Sequence, residues 1–563
     1  MTKQYNVAQP LVDTTARMPF RPAIIFPAGR DRKGRATFTQ MTFQQLNQES
    51  DRYAYGLSAH GVRQGDRTLV MIRPGVEFIA VTFALLKIGA VPVFVDPGLL
   101  RRDRNAFLQC VFETQPVNFI GIPISHVLRL VFRDAFRTVK RPVTAGRRWF
   151  WGGATLETLR SERSDPFPVA PTTPEDEAAV AFTSGSTGIP KGVVFTHGMF
   201  QAQIDLMQNE MGYAAGEVDL PGLYVFALFN PALGVTTVIP DMDPAKIAQL
   251  NPAYLVEAIQ THGVTTTNGS PTIFKIVGQY CLDNKIKLPS LKRILTYGAP
   301  IPPSLIAQYR DILAEDGDVY TPFGATEALP IAMISGREIL AETAALTEQG
   351  RGMCVGRPTP GNTIRIIHIT EEPILEWEDS SILPDGQVGE IVVKGPVVTR
   401  SYLHRPLQTM AAKIREGDEI WHRMGDLGYF DEQGRLWFCG RKQHRVETAE
   451  KLVLPVQCEA IFNHHPDAVR TAIVGVGPMR NKRPVLIVEP VRYRMPTSEA
   501  ARKRFADEIL AMGANHAITS GIHDVLFHPS LPVDVRHNAK IQREKLAVWA
   551  EEQVARETQE MVT

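Results

Sequence analysis

The stretch from Thr68 to Val95 narrows the fold more than any other part of the chain. Thr68 to Ile72 is an apolar run of strand length, Val76 to Ile88 has the length and content of a buried helix, and Val91 to Val95 is a second apolar run. Strand, helix and strand at this spacing predict a parallel βαβ unit, and hence a layered α/β protein. Lys87, Gly89 and Pro92 interrupt the apolar stretch, so it reads as a core helix followed by a core strand and not as a membrane span. Upstream, Phe43, Leu46, Tyr53, Ala54 and Leu57 recur at helical spacing. Gly61 to Asp66 is a turn, and Asp96-Pro97-Gly98 closes the unit.

At 563 residues the chain has length for three or four compact units. Its 44% hydrophobic and 21% charged residues are those of a globular protein. A net charge of +1 supplies no global field for nucleic acid, so no nucleic-acid partner is expected. The five cysteines are scattered without CxxC or metal spacing, and they predict reduced thiols in a cytoplasmic protein. The first residues carry no apolar core of a secretory signal, so none is expected.

A glycine-rich loop carries the first chemistry. Thr183, Ser184, Gly185, Ser186, Thr187 and Gly188 are followed by Ile189-Pro190-Lys191-Gly192. Glycines let a backbone approach a ligand closely, and successive N–H groups and hydroxyls can wrap an anion. Lys191 adds a positive charge. The spacing is not that of a Walker A loop, which opens a helix. Here Ala178 to Phe182 and Gly192 to Thr196 both read as strands, so the element is strand–loop–strand. The plainer alternative is a polar surface hairpin.

The run Thr-Ser-Gly-Ser-Thr-Gly-x-Pro-Lys-Gly resembles the signature of the adenylate-forming enzymes, which include acyl-CoA synthetases, nonribosomal peptide adenylation domains and luciferases. The resemblance spans roughly residues 10 to 550 and implies activation of a carboxylate to an acyl-adenylate with ATP and Mg²⁺. It implies an α/β fold with a large N-terminal domain, residues 1–441, built of doubly wound sheets and an irregular β region. A small mobile α+β domain, residues 442–563, would follow, hinged at Gln443. Three more motifs match in order. Phe323-Gly324-Ala325-Thr326-Glu327 is similar to the segment whose Thr meets the α-phosphate and whose Glu holds Mg²⁺. That assigns Thr326 and Glu327 catalytic roles, with Glu327 the metal ligand. Met424-Gly425-Asp426 looks like the family's Thr-Gly-Asp, with Asp426 on the ribose and Arg441 on the nucleotide. Gly298-Ala299-Pro300 resembles the adenine-contacting turn. Lys540, in Lys-Ile-x-Arg, matches the adenylation lysine and would neutralise transition-state charge beside Lys191.

Departures from the pattern concern the second step. Asn230 stands where the family carries a His of the acyl pocket. Glu447 and Glu450 stand where CoA ligases carry Lys and Gly, and they put carboxylates on the route of a polyanion. Phe119 to Pro123, Asn230-Pro231 and Arg536 to Ile541 look like the β-lactone synthetases of bacterial long-chain olefin biosynthesis. Those enzymes close a 2-alkyl-3-hydroxyalkanoic acid to a β-lactone, and the resemblance implies a long-chain 3-hydroxy acid substrate. His444, Glu447 and His537 are candidates for the base of that step. The alternatives are a long-chain fatty acyl-CoA ligase and a catalytically silent acyl-binding protein.

Residues 126–148 are locally basic. Arg129, Arg133 and Arg137 stand at i, i+4 and i+8, which predicts one helix face opposite Val131, Phe132, Ala135, Phe136 and Val139. The segment reads either as a solvated face over a core or as a docking surface for an anionic membrane or an acidic partner enzyme.

Overall fold

A computed structural model describes residues 5–183, 189–244, 246–533 and 540–562. The βαβ unit forms as the pattern predicts. Strand Arg67–Met71 pairs in parallel with Val91–Phe94 through the helix Val76–Ile88. That helix is apolar on all sides because it is covered on all sides, and Gly89 in the left-handed region ends it. One of its partners is the helix Phe43–Ala59, opened by a capping box in which Thr42 and Gln45 exchange side-chain and backbone hydrogen bonds. Phe43, Leu46, Tyr53, Ala54 and Leu57 all lie inside this core. Where the two helices touch, the buried Lys87 donates to Asp51 Oδ1 at 2.6 Å and Asn47 Oδ1 at 2.8 Å.

The unit belongs to a sheet of seven strands, ordered Ala154–Thr155, Arg141–Thr144, Asn118–Gly121, Arg67–Met71, Val91–Phe94, Glu177–Phe182 and Gly192–Thr196. A second sheet of fourteen strands has a parallel centre, including Val218–Pro221, Thr266–Gly269, Arg293–Thr296 and Asp318–Ala325. It continues into an antiparallel region that contains Leu436–Arg441 and the long strand Glu419–Phe430 and has Thr363–Ile367 as its edge. After Arg441 the described strands pair only among themselves, as the hairpin Val446–Glu447/Leu452–Val453 and the sheet Ala468–Val476, Arg483–Pro490, Asp524–Phe527. The helices Pro455–Phe462, Glu499–Gly513 and Arg543–Val562 accompany them. The α/β class expected from the sequence is the class observed.

The basic segment is not the long helix its spacing predicts. The helix covers only Pro123–Val131, and turns carry the chain to the strand Arg141–Thr144. That strand lies parallel to Asn118–Gly121, so the connection must return to the starting edge of the sheet. A nine-residue helix spans about 13 Å, the same as a four-residue strand. The return is complete at Val131, and a longer helix would overshoot. The apolar face is split in consequence: Ala135 and Phe136 turn into the core and Val131 faces solvent. All five cysteines are buried and unpaired. No described helix is long and apolar enough to cross a membrane.

Candidate active site

The phosphate-loop strands Glu177–Phe182 and Gly192–Thr196 are antiparallel neighbours. Thr183 and Lys191 close the base of the loop: Thr183 N donates to Lys191 O at 3.1 Å, and Lys191 N to Thr183 Oγ1 at 3.1 Å. Ser184, Gly185, Ser186, Thr187 and Gly188 lie outside the described residues. The Lys191 ammonium sits 4.6 Å from the centre of the Tyr402 ring. The Tyr402 hydroxyl donates to Glu327 Oε1 at 2.6 Å. Thr326 and Glu327 form the turn between strands Asp318–Ala325 and Ala328–Ser335. The Glu327 carbonyl accepts from Thr399 N at 2.9 Å and Thr399 Oγ1 at 3.0 Å.

Behind this turn lies Lys413, buried and donating to the Thr399 carbonyl and hydroxyl. Burial drives its ammonium down from the ordinary 10.5 to about 7, Glu327 opposing the shift and Lys191 adding to it. The folded state therefore binds fewer protons than the unfolded state between about 7 and 10.5, and stability rises with pH through that window. Replacing Lys413 by methionine is expected to flatten this rise. Urea midpoints of both proteins across the window check it; parallel pH profiles would contradict it. Burial also lowers the His422 imidazole, with Lys413 the next cause, and raises the Tyr402 phenol, so Tyr402 remains a donor to Glu327.

The opposite wall comes from the antiparallel region. Asp426 and Arg441 are register partners on neighbouring strands, with Arg441 Nη1 3.2 Å from Asp426 Oδ1. That approach is not a hydrogen bond, and the buried Oδ1 has no hydrogen-bond donor among the described residues. Burial pushes the Asp426 carboxyl up, while Arg441 and then Lys540 pull it down. Lys540 thus acts electrostatically on the same site. Gly298, at φ 93°, begins the turn Gly298-Ala299-Pro300 after strand Arg293–Thr296. The Phe323 ring lies 5.7 Å from that of Phe438. A side chain at Gly324 would meet the Ala328 carbonyl at 2.5 Å, so only glycine fits there.

These walls enclose one cavity of about 3210 Å³. Thr183, Lys191, Gly298, Ala299, Pro300, Phe323, Gly324, Thr326, Glu327, Asp426, Arg441, Gln443, His444 and Lys540 all line it. An aromatic arm leads away from the polar end, through Tyr297, Phe226, Phe229, Phe200 and Phe195 with successive ring centres 5.1 to 6.1 Å apart. Phe78 and Phe94, with ring centres 5.6 Å apart, and Leu128 line the same cavity. Asn230 is not in the lining. It is buried, donating to Asp219 Oδ2 at 2.8 Å and Thr237 Oγ1 at 3.0 Å. The second-step candidates separate. His444 lines the cavity with Nε2 3.0 Å from Glu544 Oε1, and that contact holds the Glu544 carboxyl below its ordinary range. Gln443 Nε2 donates to the same oxygen at 3.0 Å. Glu447 pairs with Arg445 at 2.8 Å and does not line the cavity. His537 lies outside the described residues. Tyr402, Thr399 and Lys413 escaped the sequence reading, because no local motif surrounds them.

The donor set fits a nucleotide and a hard cation. An undonated buried carboxylate oxygen suits a ribose diol. One carboxylate beside a hydroxyl suits a cation that draws its other ligands from phosphate and water. Among the described residues no cluster of three or more acidic, His or Cys side chains forms a metal cage.

Comparison with known proteins agrees with this geometry. The olefin β-lactone synthetase of Stenotrophomonas maltophilia is 46% identical, the alignment covering 98% of this chain and 99% of that one. The olefin β-lactone synthetase of Xanthomonas campestris pv. campestris is 44% identical over 98% and 99%. The solved O-succinylbenzoate coenzyme A synthetase of Bacillus subtilis, in complex with ATP and a magnesium ion, shares the fold at a TM-score of 0.72, with 21% identity over 95% of this chain and 98% of that one. The model of the AMP-binding enzymes matches residues 11–403, and with full-length relatives at such identity the chain belongs to the AMP-binding enzyme family.

Proposed function

We propose that the protein activates a long-chain 2-alkyl-3-hydroxyalkanoic acid with ATP and closes it to a β-lactone, releasing pyrophosphate and AMP. The observation that carries this reading is that one cavity is lined both by Lys191, Glu327, Asp426 and Lys540 and by the aromatic series from Tyr297 to Phe195. The names of the full-length relatives support the same class of product. In the first step a carboxylate oxygen of the acid attacks the α-phosphorus and pyrophosphate departs. Asp426 holds the ribose, the loop from Thr183 to Gly188 wraps the phosphates, and Gly298-Ala299-Pro300 faces the base. Thr326 and Lys540 meet the α-phosphate, where negative charge accumulates. Mg²⁺, bound through Glu327, would neutralise phosphate charge. In the second step the 3-hydroxyl oxygen attacks the acyl carbon and AMP leaves. The nucleophile arrives with the acyl group, so proximity replaces a second encounter. We assign the proton of that hydroxyl to His444, oriented by Glu544.

We divide the chain into a large domain, 1–441, and a smaller one, 442–563, hinged at Gln443. The self-contained pairing of the strands after Arg441 supports this division. The protein meets its water-insoluble substrate at a surface, through the basic 126–148 segment.

The test is product identification by NMR or mass spectrometry. A 3-hydroxy acid with MgATP and no CoA is expected to give lactone, AMP and pyrophosphate. The matching acid without the hydroxyl is expected to stall as acyl-AMP. Comparable acyl-CoA formation from that second acid, or no lactone from the first, would replace this reading with the acyl-CoA ligase.

A further inference from the structure

The helix Pro123–Val131 supplies Ile124, Ser125 and Leu128 to the wall of the cavity. Ile124 lines the cavity and is also 58% exposed, so it forms a lip of the opening. Two large aromatic side chains of the loop after strand Arg141–Thr144 are also in the open: Trp149 at 53% and Phe150 at 77%. The loop that carries the two aromatics is anchored. Between them and the core, Trp151 is buried, donates from Nε1 to Thr144 Oγ1 at 2.9 Å, and stacks on His126 of the same helix with ring centres 5.1 Å apart. Trp149 and Phe150 are thus held outward by a fixed neighbour. Scattered exposed apolar residues are ordinary, but a cluster rimmed by charge marks a contact site.

The rim is cationic. Residues 96–150 hold ten Arg and Lys against four carboxylates, in a chain whose net charge is +1. Arg102 pairs with Asp96 and Arg141 with Asp66, which leaves eight of the cations outside those two pairs. Two more of the carboxylates are engaged: Asp103 accepts from the Ala106 N–H, and Glu113 pairs with Arg405. Arg104 lies over Phe132 at 5.8 Å and Arg137 over Phe112 at 4.5 Å, which ties the segment after the helix to the helix Arg104–Thr114. Arg133, Arg147 and Arg148 are exposed, the last two immediately before Trp149 and Phe150 in the chain.

The geometry points to an anionic lipid bilayer as the occupant of this face, with the mouth of the acyl cavity pressed against it. Charge complementarity carries the identification. A lone hydrophobic contact or a lone basic cluster binds membranes marginally, whereas the two together bind stably. Aromatic side chains at the tip suit the headgroup level. The assignment rests on the long-chain acid of the preceding reading, since such an acid resides in a bilayer and would enter the arm past Ile124 without crossing water.

The test is co-sedimentation of the full chain with vesicles of phosphatidylcholine, and of phosphatidylcholine mixed with phosphatidylglycerol, at low and high salt. Binding is expected only to the phosphatidylglycerol vesicles, with release by salt. Each arginine near the surface contributes about five-fold. The Arg133→Gln/Arg137→Gln/Arg147→Gln/Arg148→Gln variant is therefore expected to bind on the order of several hundred-fold more weakly. Trp149→Ser/Phe150→Ser is expected to lose about ten-fold or more. Both variants should still turn over a short, water-soluble 3-hydroxy acid, which shows that they fold. Absence of binding to either vesicle, equal binding to both, or unaltered binding by the arginine variant overturns the assignment. A complex with an acidic protein, lost in the variants while no vesicle binds, overturns it in favour of that partner. Vesicle binding by a wild type that makes no lactone from the short acid would sustain the surface and sink the proposed reaction instead.

Discussion

Lys540→Ala is expected to lower pyrophosphate release by on the order of 10²–10³-fold, while ATP binding stays near the wild-type level. The separation follows from where charge resides before and during the reaction. On the proposed reading the ground-state nucleotide would be held by many groups lining the cavity: Thr183 and Lys191, the Thr326–Glu327 turn, and Asp426 with its undonated oxygen. Losing one cation among these changes affinity little. In the transition state the α-phosphorus carries added negative charge, and a lysine acting on Asp426 across the same cavity is placed to meet it. Calorimetry of ATP binding and a pyrophosphate assay on one preparation separate the two effects. Near-normal pyrophosphate release would remove Lys540 from the chemistry, and an equal loss of ATP binding would make it a ground-state ligand.

Glu327→Gln should cost activity on the order of 10²-fold or more, because on the proposed reading it removes the carboxylate that would hold Mg²⁺. Glutamine keeps an acceptor for the Tyr402 hydroxyl, so the substitution isolates the charge. It also withdraws the counter-charge of Lys413. Below about pH 7 the wild-type Lys413 holds its proton with Glu327 opposite; without Glu327 its pKa falls further and stability is lost. Above that value Lys413 is neutral in both proteins, and the stability difference should shrink. Denaturation midpoints on either side of pH 7 read the one effect. Activity on the alkaline side, with its Mg²⁺ dependence, reads the other. Full activity there would detach Glu327 from the metal.

Features legible in the sequence are those whose cause is local. The helix Val76–Ile88 appears at the residues its apolar run predicts, because its length, the glycine after it and its flanking strands all lie within one stretch. The hairpin around the phosphate loop is similar, since two short apolar runs flank the glycines. The arginine spacing of 129, 133 and 137 misled because the length of that helix is set by the neighbouring strand and not by its own periodicity. Tyr402 and Lys413 were invisible for a related reason. Tyr402 finds Glu327 across 75 residues of chain, and only the pairing of strands decides that the two meet. Asn230 was noticed as a departure, and the structure gives its occupation: it satisfies a buried carboxyl, Asp219, which burial pushes up to about 7.

The phosphate loop belongs to the seven-stranded sheet and the Thr326–Glu327 turn to the fourteen-stranded one. On the proposed reading a polyphosphate with its cation would need a gap of constant width between these two sheets. Tyr402 works as a gauge block in that gap. Its backbone bridges to Val193, its neighbour Leu403 donates to Gly192 O at 2.8 Å, its ring carries the Lys191 ammonium, and its hydroxyl holds Glu327. The loop's cation and the turn's anion are indexed to one rigid side chain.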